Sequence, residues 1–393
     1  MKKLLLSAAI ALIAFSASAD LGDDGYYRVQ NAYTKRYAYL LDNKGSMNVG
    51  ESTVDVQALE LYLDIKNAVS DPSTIFYIKK ANVSGSSMSY DIAGQGTSVH
   101  GFLGEYVKII KGKEYDGMQS YYVSASKSGM TKYLGDRRSD PRVAKGLASA
   151  DCTGDRRLWY IHPMDVNNEE AYFGVSPTLT AGGKYYYPMY ASFPFDAYSE
   201  GVKAYIIDKA NPYDSEPAVG LKELKGVVPA GTPVIIECSN PLPADNRLNV
   251  GPAGATANAS GNMLQGAYFN NDDVVHYNRK AYDSRTMRIL TVKDGKLVFD
   301  VADLDFLPRN QSYLQLPSDP QYYGVKSYKV VTEEEYKRQY DAVEAIAVDA
   351  TVDVYNLQGN LVKGGIPKTD VYTLGKGIYI LRSGAAMEKL VVR

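Results

Sequence analysis

The sequence predicts an all-β protein built from several modules in series. Short apolar and aromatic runs recur at roughly 8–12-residue spacing with turn residues between them, as in all-β chains. Tyrosine dominates the aromatics, with 34 Tyr against 9 Phe and 1 Trp, and its ring suits half-buried strands with one wet side. From about residue 169 to 317, Gly and Pro punctuate the apolar runs and no helical period develops.

Residues 1–19 are expected to be a cleavable signal peptide. Lys2 and Lys3 precede an apolar run over 4–15 broken only by Ser7, and Ala17-Ser18-Ala19 offers small residues for cleavage before Asp20. That run is shorter than the roughly 20 residues that span a bilayer, and no cysteine stands near the site to carry a lipid. No later stretch is long and apolar enough to span a membrane. The expected product is exported, lying outside the cell, on the outer-membrane surface or in the periplasm, with no transmembrane segment after cleavage. Its length suits two or three domains at roughly 100–200 residues each. A formal net charge of -2 removes the electrostatic case for nucleic acid as a partner. Cys152 and Cys238 are the only cysteines; an oxidising compartment would let them pair, and the commoner role is that of small buried hydrophobes.

Over 20–166 one phrase repeats: an aromatic strand, a polar turn, a second short strand. Gly25-Tyr26-Tyr27-Arg28-Val29-Gln30-Asn31 leads to Arg36-Tyr37-Ala38-Tyr39-Leu40, and Ser120-Tyr121-Tyr122-Val123-Ser124-Ala125 leads to Lys132-Tyr133-Leu134-Gly135. Thr74-Ile75-Phe76-Tyr77-Ile78 and Arg157-Leu158-Trp159-Tyr160-Ile161 echo each other as closing strands, and a fainter copy lies around Met88–92 and 105–110. This region resembles a β-trefoil of the ricin-like kind, a threefold arrangement of hairpin units. Sugar-binding members carry Gln-x-Trp in each unit, whereas the equivalent strands here read Ile75-Phe76-Tyr77-Ile78 and Leu158-Trp159-Tyr160-Ile161. Residues 54–69 are expected to form a short helix.

Residues 167–330 are expected to form a β-sandwich, with Asp294-Gly295 as a hairpin turn and 241–262 as a long surface loop. Tyr198-Ser199-Glu200-Gly201-Val202-Lys203-Ala204-Tyr205, Val228-Pro229-Ala230-Gly231-Thr232-Pro233-Val234 and Asn310-Gln311-Ser312-Tyr313-Leu314 resemble a sandwich module of secreted Bacteroides and Prevotella proteins. Residues 331–347 read as a helical connector, capped by Thr332 with Glu335 completing the capping box. Residues 348–393 read as a small sandwich-like β module. Tyr355, Asn356, Gly359, Gly377 and Tyr379, with Val354, Val362, Leu374 and the end from Lys389 to Arg393, are similar to the C-terminal sorting domain of the type nine secretion system of Bacteroidetes. The resemblance implies the secretion machinery as a partner; the same residues also suffice to build a terminal β domain.

Little in the sequence carries chemistry. His100, His162 and His276 lie far apart and outside any ligand motif. There is no Gly-x-Ser-x-Gly elbow, and Gly94-Gln95-Gly96 reads as a turn, lacking the third glycine of a dinucleotide site. Acidic clusters at Asp20, Asp23 and Asp24, at Asp272 and Asp273, and at Asp300, Asp303 and Asp305 lack calcium-loop spacing. No metal and no cofactor is expected. Tyr185, Tyr186 and Tyr190 are the candidate binding residues, since exposed tyrosines stack on sugars or anchor partners. The expected function is non-catalytic binding or adhesion at the cell surface toward a glycan or protein ligand. An extracellular hydrolase of polysaccharide or peptide and a trefoil-type protease inhibitor stay open as alternatives.

Overall fold

The computed structural model describes residues 21–392 except 22, 43–45, 50–51, 56–57, 63–67, 85–86, 99–106, 128–129, 139–144, 150–151, 213–215, 273–276, 341–345, 347–348 and 385. The expected signal segment at 1–19 lies outside the described residues. The protein is mostly β, in curled sheets.

In the first unit six strands close into a ring. Gly25–Asn31 pairs antiparallel with Ile75–Ser84 on one side and with Leu158–Pro163 on the other. Ile75–Ser84 folds back onto Ser87–Gly94, where Tyr90 exchanges two backbone hydrogen bonds with Val107 at 2.8 and 3.0 Å. The chain continues into Lys108–Tyr115, which pairs with Met118–Lys127, and that strand returns to Leu158–Pro163. Among the described residues the single Tyr90–Val107 bridge closes the ring. Val29, Phe76, Ile78, Tyr90, Val123 and Trp159 fill one core. Both hairpins read from the sequence are present, Tyr37–Asp42 pairing back on Gly25–Asn31 and Met130–Tyr133 on Met118–Lys127.

Of the helix expected over 54–69, the described residues form strands Ser52–Asp55 and Ala58–Tyr62, with Ala68 alone in helical conformation. Ala58–Tyr62 lies between Tyr37–Asp42 and Lys145–Ser149. Ladders on both sides satisfy its backbone groups, which outweighs the few tenths of a kcal/mol by which Ala, Leu and Glu favour helix.

The second unit holds a ten-stranded sheet that starts at Leu179–Ala181 and ends at Leu264–Ala267. It curls until Ser312 Oγ, on Gln311–Gln315, donates to the Val234 carbonyl at 2.8 Å. Strand Val234–Cys238 is buried along its whole length. Ile235 faces one core with Ile207, Val219 and Phe299, and Val234 and Ile236 face another with Phe193 and Phe195. A three-stranded sheet of Phe173–Gly174, Arg247–Val250 and Phe195–Ala197 contributes to that second core. The loop expected at 241–262 therefore contains a strand. Its anchor is Asn246, fully buried, whose amide donates to the carbonyls of Asn240 (2.6 Å), Leu242 (3.0 Å) and Val175 (3.3 Å). The Asp294-Gly295 turn forms as expected, both residues at positive φ (50° and 73°), with Lys293 opposite Lys296.

Helix Glu333–Gln339 starts at Thr332, whose hydroxyl accepts from the Glu335 N–H at 3.1 Å. It is more than a connector. Tyr336 is buried against Gly220, where a Cβ would come within 3.0 Å of the ring, so the helix closes one face of Ala218–Leu224. The C-terminal module is a single four-stranded antiparallel sheet, ordered Leu361–Pro367, Thr351–Tyr355, Gly377–Ser383, Ala386–Val392. Val352, Val354, Leu381 and Val371 form its core. On the outer face Ile378 stands opposite Val391, and both are exposed.

Candidate functional site

The first and second units meet through buried polar groups. Arg28 is fully buried; its guanidinium donates to the carbonyls of Tyr172 (2.7 Å) and Ala68 (3.3 Å), and burial lowers its pKa to about 10, which leaves it charged at neutral pH. Asp71 accepts from Ser73 Oγ (2.6 Å), Asn310 Nδ2 (3.0 Å) and Arg309 (2.5 Å). Such charged groups persist in an interior only when hydrogen-bonded in this way.

The turn Gln95-Gly96 lies at this joint. It links Ser87–Gly94 to Thr97–Ser98 with left-handed backbone at both residues, φ 49° and 70°. Glycine adopts that conformation freely, and glutamine does so at a cost. Gln95 is held there from the second unit: its N–H donates to Ser192 Oγ at 3.0 Å and its side-chain amide donates to Asn310 Oδ1. Gln95 is only 2% exposed, yet its side-chain carbonyl has no hydrogen-bond partner among the described residues. An unsatisfied buried acceptor costs about 1–3 kcal/mol, and the surrounding contacts of Gln95 hold it in place against that cost.

Beside the turn opens a cleft of about 490 Å³, walled by Gln95, Gly96, Tyr268, Phe269, Arg279 and Lys280 among others. Its volume falls within the roughly 300–1,000 Å³ of small-molecule sites. Tyr268 stacks on Tyr190 with ring centroids 4.1 Å apart and planes 22° from parallel. Gly266 lets Tyr190 lie directly on the backbone, since a Cβ there would fall 2.1 Å from the ring. Burial, then the hydrogen bond with Tyr190, raises the Tyr268 phenol well above its ordinary value, so it is neutral throughout the physiological range. Lys280 is exposed at the rim, 4.9 Å from the Tyr313 ring centre, and Arg279 stacks at 3.6 Å on Phe306.

Of the three candidate tyrosines, Tyr190 stacks on Tyr268 without itself lining the cleft. Tyr185 is half-buried and packs on the second unit's core. Tyr186 is buried, its hydroxyl donates to Glu237 Oε2 at 3.3 Å, and burial pushes its pKa up to about 12; it sits inside the fold, where a ligand cannot stack on it. In the C-terminal module Asn356 Oδ1 accepts from the N–H of Gln358 (3.1 Å) and Asn360 (2.9 Å), and Gly359 takes φ 80°, so these residues build a turn. Gly377 lies under the Tyr379 ring, whose hydroxyl donates to Gly375 O at 2.7 Å. Tyr355 is half-buried at the end of its strand.

No disulfide joins Cys152 and Cys238; both are buried, and burial pushes the Cys238 thiol up to about 12. His100 and His276 lie outside the described residues. His162 contacts Gln30 Oε1 at 3.1 Å, and burial lowers its pKa to about 4, Glu170 opposing and Arg28 assisting. Unfolding raises that pKa toward about 6.5, so this group's contribution to stability is present above pH 6.5 and is lost as pH falls toward 4. Urea melts at pH 7 and pH 4.5 are expected to show a larger loss for the wild type than for His162→Gln. An equal loss would show that His162 does not set this acid sensitivity.

Sequence reading missed Tyr268, Gln95 and Lys280. Gly94-Gln95-Gly96 announced a turn, but nothing local announced that a partner some 170 residues away would wall it. No family model, curated protein or solved structure matches the chain.

Proposed function

We propose that this chain is an exported, non-catalytic surface-binding protein whose cleft between the first two units holds a glycan. The observation that carries this reading is the half-buried Tyr268 ring, stacked on Tyr190, in the wall of a cleft of about 490 Å³. The Tyr268 ring offers a platform for the apolar face of a sugar, and exposed Lys280 at the rim a donor for its oxygens. The ring of six strands with returning hairpins supports reading the first unit as a β-trefoil of the ricin-like kind. The two cores sharing Val234–Cys238 support a sandwich arrangement for the second. Export rests on the signal-like residues 1–19. The C-terminal sheet is the part that addresses the chain to the secretion machinery, a role its outward Ile378 and Val391, together with exposed Leu361, Val362 and Met387, support.

A glycan array probed with residues 20–393 tests the reading. Saturable binding is expected, weakened about tenfold in Tyr268→Ala, which corresponds to ~1.4 kcal/mol, and unchanged in Tyr198→Ala, an exposed tyrosine outside the cleft wall. Silence across the array, or binding indifferent to Tyr268→Ala, overturns the glycan reading of this cleft.

A further inference from the structure

A second cavity, about 140 Å³, lies on the other side of the same turn. Its wall includes Tyr26, Tyr77, Ala93 and Ser192, and Gly96 belongs to both walls. Gly96, shared by the two walls, is exposed. A side chain there would be doubly disfavoured: φ is 70°, and a Cβ would fall 2.8 Å from the Tyr268 ring. Each cavity has its own aromatic pair. Tyr268, backed by Tyr190, lines the larger, while Tyr26 and Tyr77 both line the smaller, with centroids 4.9 Å apart. Tyr26 is seated as Tyr190 is, against a glycine: a Cβ on Gly251 would come within 2.6 Å of its ring. Two half-buried aromatic pairs, each pressed on glycine and flanking an exposed glycine, form a track across the joint.

Resting on the glycan reading of the cleft, we infer that the ligand is an extended oligosaccharide that crosses Gly96 and occupies both cavities, one sugar against Tyr268 and a neighbouring one against Tyr77. A monosaccharide would use only the larger cavity. Lys280, exposed at that end with its ammonium held on the Tyr313 hydroxyl at 2.5 Å, favours an acidic sugar there. The Gln95-Gly96 turn then serves as the divider over which the glycosidic linkage passes. Contacts on both sides belong to one ligand, so the gain from the second sugar appears as an intramolecular step.

The test is calorimetric titration of residues 20–393 with galacturonic acid as monomer, dimer and hexamer, and with the matching glucose series. The hexamer of the preferred series is expected to bind at least about tenfold more tightly than its monomer. Tyr77→Ala should abolish that gain and leave monomer affinity unchanged, an internal check that the larger cavity is intact. Should Tyr77→Ala fail to fold, Ala93→Leu fills the smaller cavity and is expected to give the same pattern. A gain that survives these variants, or equal affinity for monomer and hexamer, overturns the extended-ligand inference while leaving the cleft reading standing. Absence of binding by every probe and by the array overturns both.

Discussion

Replacing Asp136 with alanine is expected to destabilise the first unit by about 3–5 kcal/mol, the cost of stranding a buried charge. Arg36 and Asp136 form an ion pair in which both side chains are fully buried. Asp136 also accepts from Thr34 Oγ1 at 2.7 Å and from the Arg138 N–H at 2.9 Å, while Arg36 donates to the Arg138 carbonyl at 2.9 Å. The pair therefore ties the turn after Gly25–Asn31 to strand Gly135–Asp136, two segments a hundred residues apart. Alanine at 136 removes the countercharge of the buried guanidinium and one of the two acceptors of the Thr34 hydroxyl, Asn31 Oδ1 at 3.1 Å being the other. The double variant Arg36→Met, Asp136→Leu should recover much of the loss, because it removes both charges and fills similar volume. Urea denaturation of the two variants checks this; a loss below about 1 kcal/mol for Asp136→Ala would place the pair among weak surface pairs.

Trp159→Ala is expected to cost a similar amount, about 3–5 kcal/mol, by opening a cavity in the ring's core. The side chain is fully buried among Val29, Phe76 and Val123. Its indole also donates to Leu134 O at 2.9 Å, and losing that donor leaves a buried carbonyl unsatisfied. Trp159→Phe separates the two effects, since it keeps most of the volume and loses the donor; about 1–3 kcal/mol is expected. Circular dichroism must follow these variants, because Trp159 is the only tryptophan and its fluorescence goes with it. In the wild type the same fact makes fluorescence a reporter of the first unit alone. Equal stability of Trp159→Ala and wild type would show that this core does not hold the ring together.

The ring was legible because its strands carry their own aromatic pattern. Tyr26 to Gln30 and Tyr121 to Ala125 mark two strands before any partner is known, and the echo between Ile75-Phe76-Tyr77 and Leu158-Trp159-Tyr160 marks the two strands that flank Gly25–Asn31. Ala58–Tyr62 was misread because its residues favour helix locally, and only pairing with strands about 20 residues before and 85 after it decides otherwise. Residues 247–250 were hidden by the Pro, Ala and Asn around them; the three carbonyls that Asn246 ties together are contributed by the fold. The cleft was least legible. Tyr185, Tyr186 and Tyr190 stood out by crowding, yet crowding does not say which side of a strand faces inward, and Tyr186 takes the buried side. Tyr268 and Gln95 converge through the Asn310 and Ser192 contacts and through the Gln95 side-chain amide, which donates to the Tyr268 carbonyl at 3.4 Å; no local pattern encodes these.

The most direct test of the central claim, that the ligand sits between the first two units, is hydrogen–deuterium exchange of residues 20–393 with and without saturating amounts of the best glycan from the array. Slower exchange on binding is predicted at 94–97 and 264–269, the two segments that face each other across the cleft, with the C-terminal sheet unchanged. Protection confined to the hairpins of the first unit or to the 348–393 module would contradict the account and move the site there.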